Sequence, residues 1–219
     1  MTLHSKFGPP VLLLALTILL ASCGGSGGGE AQRADHGNKD ESGGMSGMKG
    51  MDHGSGGMAS GMLMKNGEYS DERFIDAMVP HHEGAVEMAK VALKNAEHPE
   101  IKQLAENIIT TQRTEIKELE SIKQEEFGSS RVPTNMNMGQ MRSMGMMMDP
   151  GDLANENPFD KAFIDSMIPH HQSAIEMARV ARDETNNPKI KELATNIFEA
   201  QRREISQMKQ WRERWYRGD

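Results

Sequence analysis

The chain has 219 residues, with 25 Lys and Arg against 32 Asp and Glu, and its formal net charge of −7 argues against a nucleic-acid partner, whose phosphates demand clustered cations. Aromatic residues are only 5%, and Ala, Glu, Lys, Leu and Met dominate the patterned segments, which favours helices over sheets. Gly-rich and polar stretches leave one ordered core, expected to be all-α. There are 19 Met against 6 Phe. Most of these Met lie in Gly-rich sequence, where there is no core for them to fill.

Residues 1–22 carry Lys6, an apolar run from Val11 to Leu20 and then small residues, the layout of a secretory signal. The run is too short to stay across a membrane. It ends Leu20-Ala21-Ser22-Cys23, which resembles the bacterial lipobox, whose cysteine is lipidated and becomes the mature N-terminus. This implies an exported protein anchored to a membrane through Cys23, on a periplasmic or extracellular face. The alternatives are a plain signal peptide or an ordinary unpaired thiol. With one cysteine there is no internal disulfide, so stability must come from packing or metal.

Residues 23–69 lack helical or alternating periodicity and read as a disordered tether. That tether carries Met45, Met48, Met51, His53, Met58, Met62 and Met64, with His36 upstream. Thioether sulfur is a soft, neutral ligand that favours Cu(I), and imidazole accepts either copper oxidation state. A second loose segment, 129–157, holds Met136, Met138, Met141, Met144, Met146, Met147 and Met148. It reads either as further flexible metal ligands or as an apolar loop that docks on the domain.

Between these segments lies an internal repeat. Phe74-Ile75-Asp76-Ala77-Met78-Val79-Pro80-His81-His82 recurs as Phe163-Ile164-Asp165-Ser166-Met167-Ile168-Pro169-His170-His171, offset by 89 residues without a gap. Each unit reads as two helices joined by a short break, giving hairpins at 70–128 and 158–219. Ser70 is placed to cap the first helix, which runs to about Asn95; Pro99 opens the second and Gly128 ends it. In the second unit Asn157 would cap with Pro158 at the first helical position, and Pro188 opens the last helix, running toward Tyr216. Pro80 and Pro169 predict a kink or local break just before each His pair. Two duplicated hairpins pack most simply as a four-helix bundle.

The helical wheel then places the polar groups. The first helix has the apolar stripe Ile75, Met78, Val79, His82, Ala85, Val86, Ala89 and Leu93, with His82 at its centre. The second has Ile101, Leu104, Ala105, Ile108, Gln112, Glu115, Leu119 and Ile122, so Gln112 and Glu115 point inward. The repeat duplicates this as His171, Gln201 and Glu204. Buried polar groups are costly unless paired or metal-bound; they are read here as metal ligands with supporting groups, or as a hydrogen-bonded network that fixes register. His81 and His170 fall on the flank, near Met88 and Met177, as partly exposed ligands. His98 occupies a turn and reads as a cap.

The motif Phe-Ile-Asp-x-Met-x-Pro-His-His, then Ala-x-Glu-Met-Ala and Gln-x-x-Glu-Ile, resembles the bacterial family named domain of unknown function 305. It covers about residues 70–125 and 159–214. The resemblance implies a ferritin-like bundle, an exported location, and copper binding or copper resistance. Its His and Met positions fall on Met78, His81, His82 and Met88, and on Met167, His170, His171 and Met177, with Gln112, Glu115, Gln201 and Glu204 behind them. The second unit has Gln172-Ser173 where the first has Glu83-Gly84, a departure that bears on whether the two halves bind alike.

A ferritin-like iron oxidase needs an inward Glu-x-x-His pair on two helices, and no Glu in this chain has a His three positions on. No nucleophile motif, phosphate loop or Cys-based zinc site appears, so a non-enzyme is expected. The functional expectation is sequestration, buffering or transfer of Cu(I), with Cu(II) at the His pairs, silver(I) as a competitor and a copper transporter or chaperone as partner. The rival is an envelope interaction module whose histidines are structural.

Overall fold

The computed structural model describes residues 56–133, 138–143, 145 and 148–218, all within the unit Met48–Asp219. Cys23, His36, Met45, Met48, Met51, His53, Met136, Met144, Met146 and Met147 lie outside the described residues, as do the side chains of Met58 and Met138. The elements in chain order are α1 (Gly56–Gly61), β1 (Met64–Lys65), β2 (Glu68–Tyr69), α2 (Asp71–Asn95), α3 (Pro99–Phe127), α4 (Met138–Ser143), α5 (Pro150–Leu153), α6 (Phe159–Glu184) and α7 (Pro188–Trp215). The all-α expectation holds: a four-helix bundle of α2, α3, α6 and α7, with one minimal hairpin beside it.

Part of the expected tether is structured. Asn66 and Gly67 both take positive φ, 57° and 84°, so this Asn-Gly pair makes the left-handed turn that matches strand twist, with Met64 opposite Tyr69. Ala59 and Leu63 are fully buried. The Arg73 guanidinium donates to the carbonyls of Met62 and Met64, at 3.2 and 3.1 Å, and so clips the segment to α2. Residues 56–69 are therefore part of the folded unit, because two apolar side chains and an Arg clip hold them there.

The long helices start and stop largely for local reasons. Ser70 takes an extended conformation and its hydroxyl accepts from Arg73 N. Gly128 ends α3 in the left-handed conformation, φ 73°, which costs glycine nothing. Asn187 accepts from Lys189 N and Ile190 N at the start of α7. Pro158 differs from expectation: its ψ of 132° is not helical, so it is itself the cap and α6 begins at Phe159. Pro80 and Pro169 interrupt nothing, since α2 and α6 run unbroken through them. Each instead leaves the carbonyl four residues back, on Asp76 and Asp165, without its helical donor.

The core falls into two apolar clusters at opposite ends. One gathers Phe74, Ile75, Met78 and Val79 of α2, Leu119 and Ile122 of α3, Met177, Ala178 and Ala181 of α6, and Ile190, Leu193 and Ile197 of α7. The other gathers Ala85, Met88 and Ala92 of α2, Ile101, Leu104 and Ile108 of α3, Phe163, Ile164 and Met167 of α6, and Ile205 and Met208 of α7. Hence α2 and α6 are antiparallel, and the hairpins meet chiefly along that pair. The end of α3 and the start of α6 then lie at opposite ends of the bundle, roughly 38 Å apart for a helix of 25 residues such as α2. The Met-rich connection must travel the length of the bundle, as in folds with one long crossover.

Midway, that connection touches α6. Gly145 is buried at φ 72°, and a Cβ there would lie 2.5 Å from the Pro169 carbonyl oxygen and 2.8 Å from His170 Cα. Only glycine fits, because both the conformation and the backbone contact exclude a side chain. Gly145→Ala is expected to undock the crossover, exposing Arg142 to trypsin much faster than in the parent; an unchanged cleavage rate would contradict this docking.

At the other end Asp160, 2% exposed, accepts from Glu97 N at 3.1 Å, His98 N at 2.8 Å and His98 Nδ1 at 2.6 Å. His98 is the N-cap residue of α3, as its position suggested, but its side chain makes no cap hydrogen bond. Its ring stacks on Trp215, centroids 3.8 Å apart, and a carboxylate from the other hairpin ties down the α2–α3 turn. Asp160→Ala would orphan these donors at a cost of about 3 kcal/mol, lowering Tm by roughly 6–12 °C. Thermal unfolding followed by circular dichroism checks it.

Candidate metal centre

Between the two apolar clusters lies a polar layer. α2 brings His81 and His82 and α6 brings His170 and His171, all four fully buried. From α3 come Gln112 and Glu115, 2% and 7% exposed, and from α7 Gln201, 2% exposed, with Glu204 half-buried. His82, His171 and both Gln lie inward as the wheel predicts. His81 and His170 do not lie on a partly exposed flank: the flank of α2 is what faces α6, so the antiparallel contact buries both rings and brings their centroids to 3.8 Å. Within each pair the rings stand 6.1 and 6.2 Å apart.

Each hairpin backs its inner histidine with its own carboxylate. His171 Nε2 is hydrogen-bonded to Glu204 Oε2 at 2.6 Å, and His82 Nε2 lies 2.9 Å from Glu115 Oε2, a close polar contact less well aligned for hydrogen bonding. His81 Nε2 reaches Ser173 Oγ at 2.8 Å and the His170 carbonyl at 3.0 Å. Outside the layer the repeat shows again: Lys123, 4% exposed, bonds Asp76 and the Arg131 carbonyl, and 89 positions on Arg212 binds Asp165 at 2.6 Å. Both pairs brace the turn of helix whose carbonyl the proline leaves without a donor.

Protein groups alone leave much of this layer unsatisfied. Both side-chain atoms of Gln112 and Gln201, both ring nitrogens of His170, and Nδ1 of His82 and of His171 are buried without a hydrogen-bond partner among the described residues. A purely structural network would satisfy them, since each orphaned group costs about 1–3 kcal/mol. Burial, reinforced by the other three histidines, holds the pKa of His170 well below the usual imidazole value. The ring is therefore neutral, with the lone pair a metal requires.

The four sequence-predicted methionines border the layer from both sides. Met78 and Met177 share one apolar cluster and Met88 and Met167 the other, so each cluster takes one from each repeat; all four are 3% exposed or less. Of the segment residues, Met62 and Met64 are half-buried, with Met62 against the first cluster. Met148 packs partly buried against the second, and Met141 is 36% exposed. Of the described methionines in the loose segments, Met62 and Met148 thus pack on the bundle. Sequence reasoning missed Ser173, Lys123, Asp76, Asp165, Arg212 and Asp160. Ser173 had left one trace, as the departure from Gly84 in the repeat. Among the described residues no three His, Cys, Asp or Glu side chains converge on one point, and Glu118, which a paired-carboxylate iron site would need, is exposed.

Comparison with solved structures gives CopM in the Cu(II)-bound form, 43% identical, covering 68% of this chain and 99% of that one with a TM-score of 0.63. CopM in the Cu(I)-bound form is 41% identical over the same shares, with a TM-score of 0.60. A DUF305 fragment from Deinococcus radiodurans is 26% identical, covering 66% and 95% of the two chains with a TM-score of 0.60. A protein of Acanthamoeba polyphaga mimivirus is 45% identical over 49 residues, 22% of this chain and 32% of that protein. The family model for DUF305, a domain of unknown function, matches residues 16–123 and 71–212, and this chain belongs to that family.

Proposed function

We propose that the protein binds copper in the bacterial cell envelope, sequestering, buffering or passing on Cu(I), with Cu(II) accepted at the histidines. The observation that carries this reading is the buried layer of four imidazoles, three beside a protein acceptor at Nε2, in which the amides of Gln112 and Gln201 and Nδ1 of His82 and His171 have no hydrogen-bond partner among the described residues. An acceptor behind a ring orients it and raises its basicity, the arrangement metal-binding histidines use. The likeness to a protein crystallised with Cu(I), Cu(II) and silver supports the choice of metal.

The residues assigned to the ion are His81, His82, His170 and His171 with thioethers from Met78, Met88, Met167 and Met177, while Glu115, Glu204, Gln112 and Gln201 support them. Because His, Cys, Asp and Glu do not converge among the described residues, a bound ion draws on sulfur as well, which selects Cu(I) and Ag(I) over harder cations. The Met-rich segments collect ions for the bundle, Met141 and Met148 from a crossover that passes the layer at Gly145, and Met45, Met48, Met51 and His53 from the N-terminal side. Among the described residues no helix is long and apolar enough to cross a membrane; attachment is assigned to a lipid on Cys23. A binding role without catalysis fits the absence of any nucleophile motif, and a copper transporter or chaperone is the partner that ligand exchange among thioethers would serve.

A Cu(I) titration of residues 24–219, which keep the whole unit Met48–Asp219, against a competing chelator tests this. Replacing Met78, Met88, Met167 and Met177 by Leu preserves core volume and is expected to weaken the tightest site at least about tenfold. Leu at Met45, Met48, Met51, Met58, Met62 and Met64 should lower the number of ions bound while leaving that site intact. Silver(I) should displace Cu(I) from both. A parent protein unable to compete with the chelator would leave the histidines structural and make an envelope interaction module the better account.

A further inference from the structure

We infer that Met148, delivered by the crossover, is the third thioether of a soft-ion site with Met88 of α2 and Met167 of α6, and that Gly145 is the residue that positions it. This rests on the copper reading of the bundle, which assigns Met88 and Met167 to the ion but gives Met148 only a collecting role.

The chain is fixed on both sides of Met148. Three residues before it, Gly145 is buried in a left-handed turn at φ 72°, closed by its own N–H donating to the Arg142 carbonyl at 3.0 Å. It is pressed so closely on α6 that a Cβ would collide with the Pro169 carbonyl and His170 Cα. Three residues of chain span at most about 11 Å, so Met148 stays within that distance of the Gly145 seat. His170 in turn is three residues beyond Met167, a neighbour on the same helix surface. On the other side, Asp149 caps α5 by accepting from Gly151 N at 2.7 Å, and Leu153 of α5 is fully buried. α5 lies against both α2 and α6, the helices that carry Met88 and Met167. Held between these two points, Met148 packs half-buried on the apolar cluster that contains Met88 and Met167.

The chemistry of that placement is specific. Met88 and Met167 are 3% and 0% exposed, so they offer two neutral donors and little contact with solvent. Met148 meets the same cluster from the surface and adds both a third donor and an approach for the ion. Three neutral thioethers select Cu(I) and Ag(I) over harder cations. Packing alone does not call for sulfur at this position, because Leu has much the same volume and fills an apolar gap as well. A filler and a ligand therefore respond differently to replacement by Leu. Met208 belongs to the same cluster but stands on α7, whereas the crossover is seated on α6 at Gly145 and on α2 and α6 at α5.

The test is a silver(I) titration of residues 24–219 carrying ¹³C-labelled methionine methyls, in chloride-free buffer, with each methyl assigned from its own Met→Leu variant. The methyls of Met88, Met148 and Met167 should move together over the same equivalent of silver, with Met208 unmoved. Met148→Leu should keep the parent's Tm yet weaken silver binding at Met88 and Met167 at least about tenfold. Gly145→Ala should weaken it similarly with Met148 still in the chain. Movement of Met88 and Met167 without Met148, movement of Met208 in its place, or a Met148→Leu protein with the parent's affinity overturns the proposal and leaves the copper reading standing. Silence of Met88, Met148 and Met167 alike overturns the proposal together with the thioether part of that reading.

Discussion

The structure depends on placing four imidazoles in the middle of a hydrophobic core. A neutral imidazole buried without partners is expensive, so the bundle is organised to make that burial tolerable. Two apolar clusters close the layer off above and below, and carboxylates at its edge, Glu115 and Glu204, meet the inner rings. The outer rings, His81 and His170, rest on each other across the antiparallel contact of α2 and α6. The remaining debt of unsatisfied amides and nitrogens is what an ion with soft and borderline preferences is proposed to settle.

Duplication supplies this layer economically and also limits it. Each repeat carries its own inner His–Glu contact and its own ion pair, Lys123 with Asp76 in the first and Arg212 with Asp165 in the second. Contacts between repeats break the symmetry. Asp160 caps the turn of the opposite hairpin and holds His98 against Trp215, while Asn187, at the position equivalent to His98, caps its own helix. Ser173 has no counterpart across from it. The same arrangement sets the two ends of the connection at opposite ends of the bundle, and its glycine at 145 rests on the backbone beside His170.

How much of this was legible in the sequence follows from what periodicity can and cannot encode. A helix's own pattern specifies which face is apolar, and all eight positions of the α3 stripe, Gln112 and Glu115 included, are buried as the spacing requires. The α2 stripe holds as well except at Leu93, which is half-buried. Caps and glycine stops are also local, so Ser70, Pro99, Gly128 and Pro188 marked the helices closely. The Asn66-Gly67 turn was equally local, yet its flanking strands are too short to show a pattern, and the stretch read as tether.

The sequence by itself determined the repeat, the four helices, the inward faces and the chemical types collected there, because each is set by interactions within a few residues of chain. Only the tertiary structure decided that α2 and α6 run antiparallel, and from that came the burial of His81 and His170, the sharing of each apolar cluster by one methionine pair from different repeats, the reach of Asp160 and the seat of Gly145. These are contacts between segments far apart in the chain, and a wheel drawn for one helix carries no information about which neighbour will cover its flank.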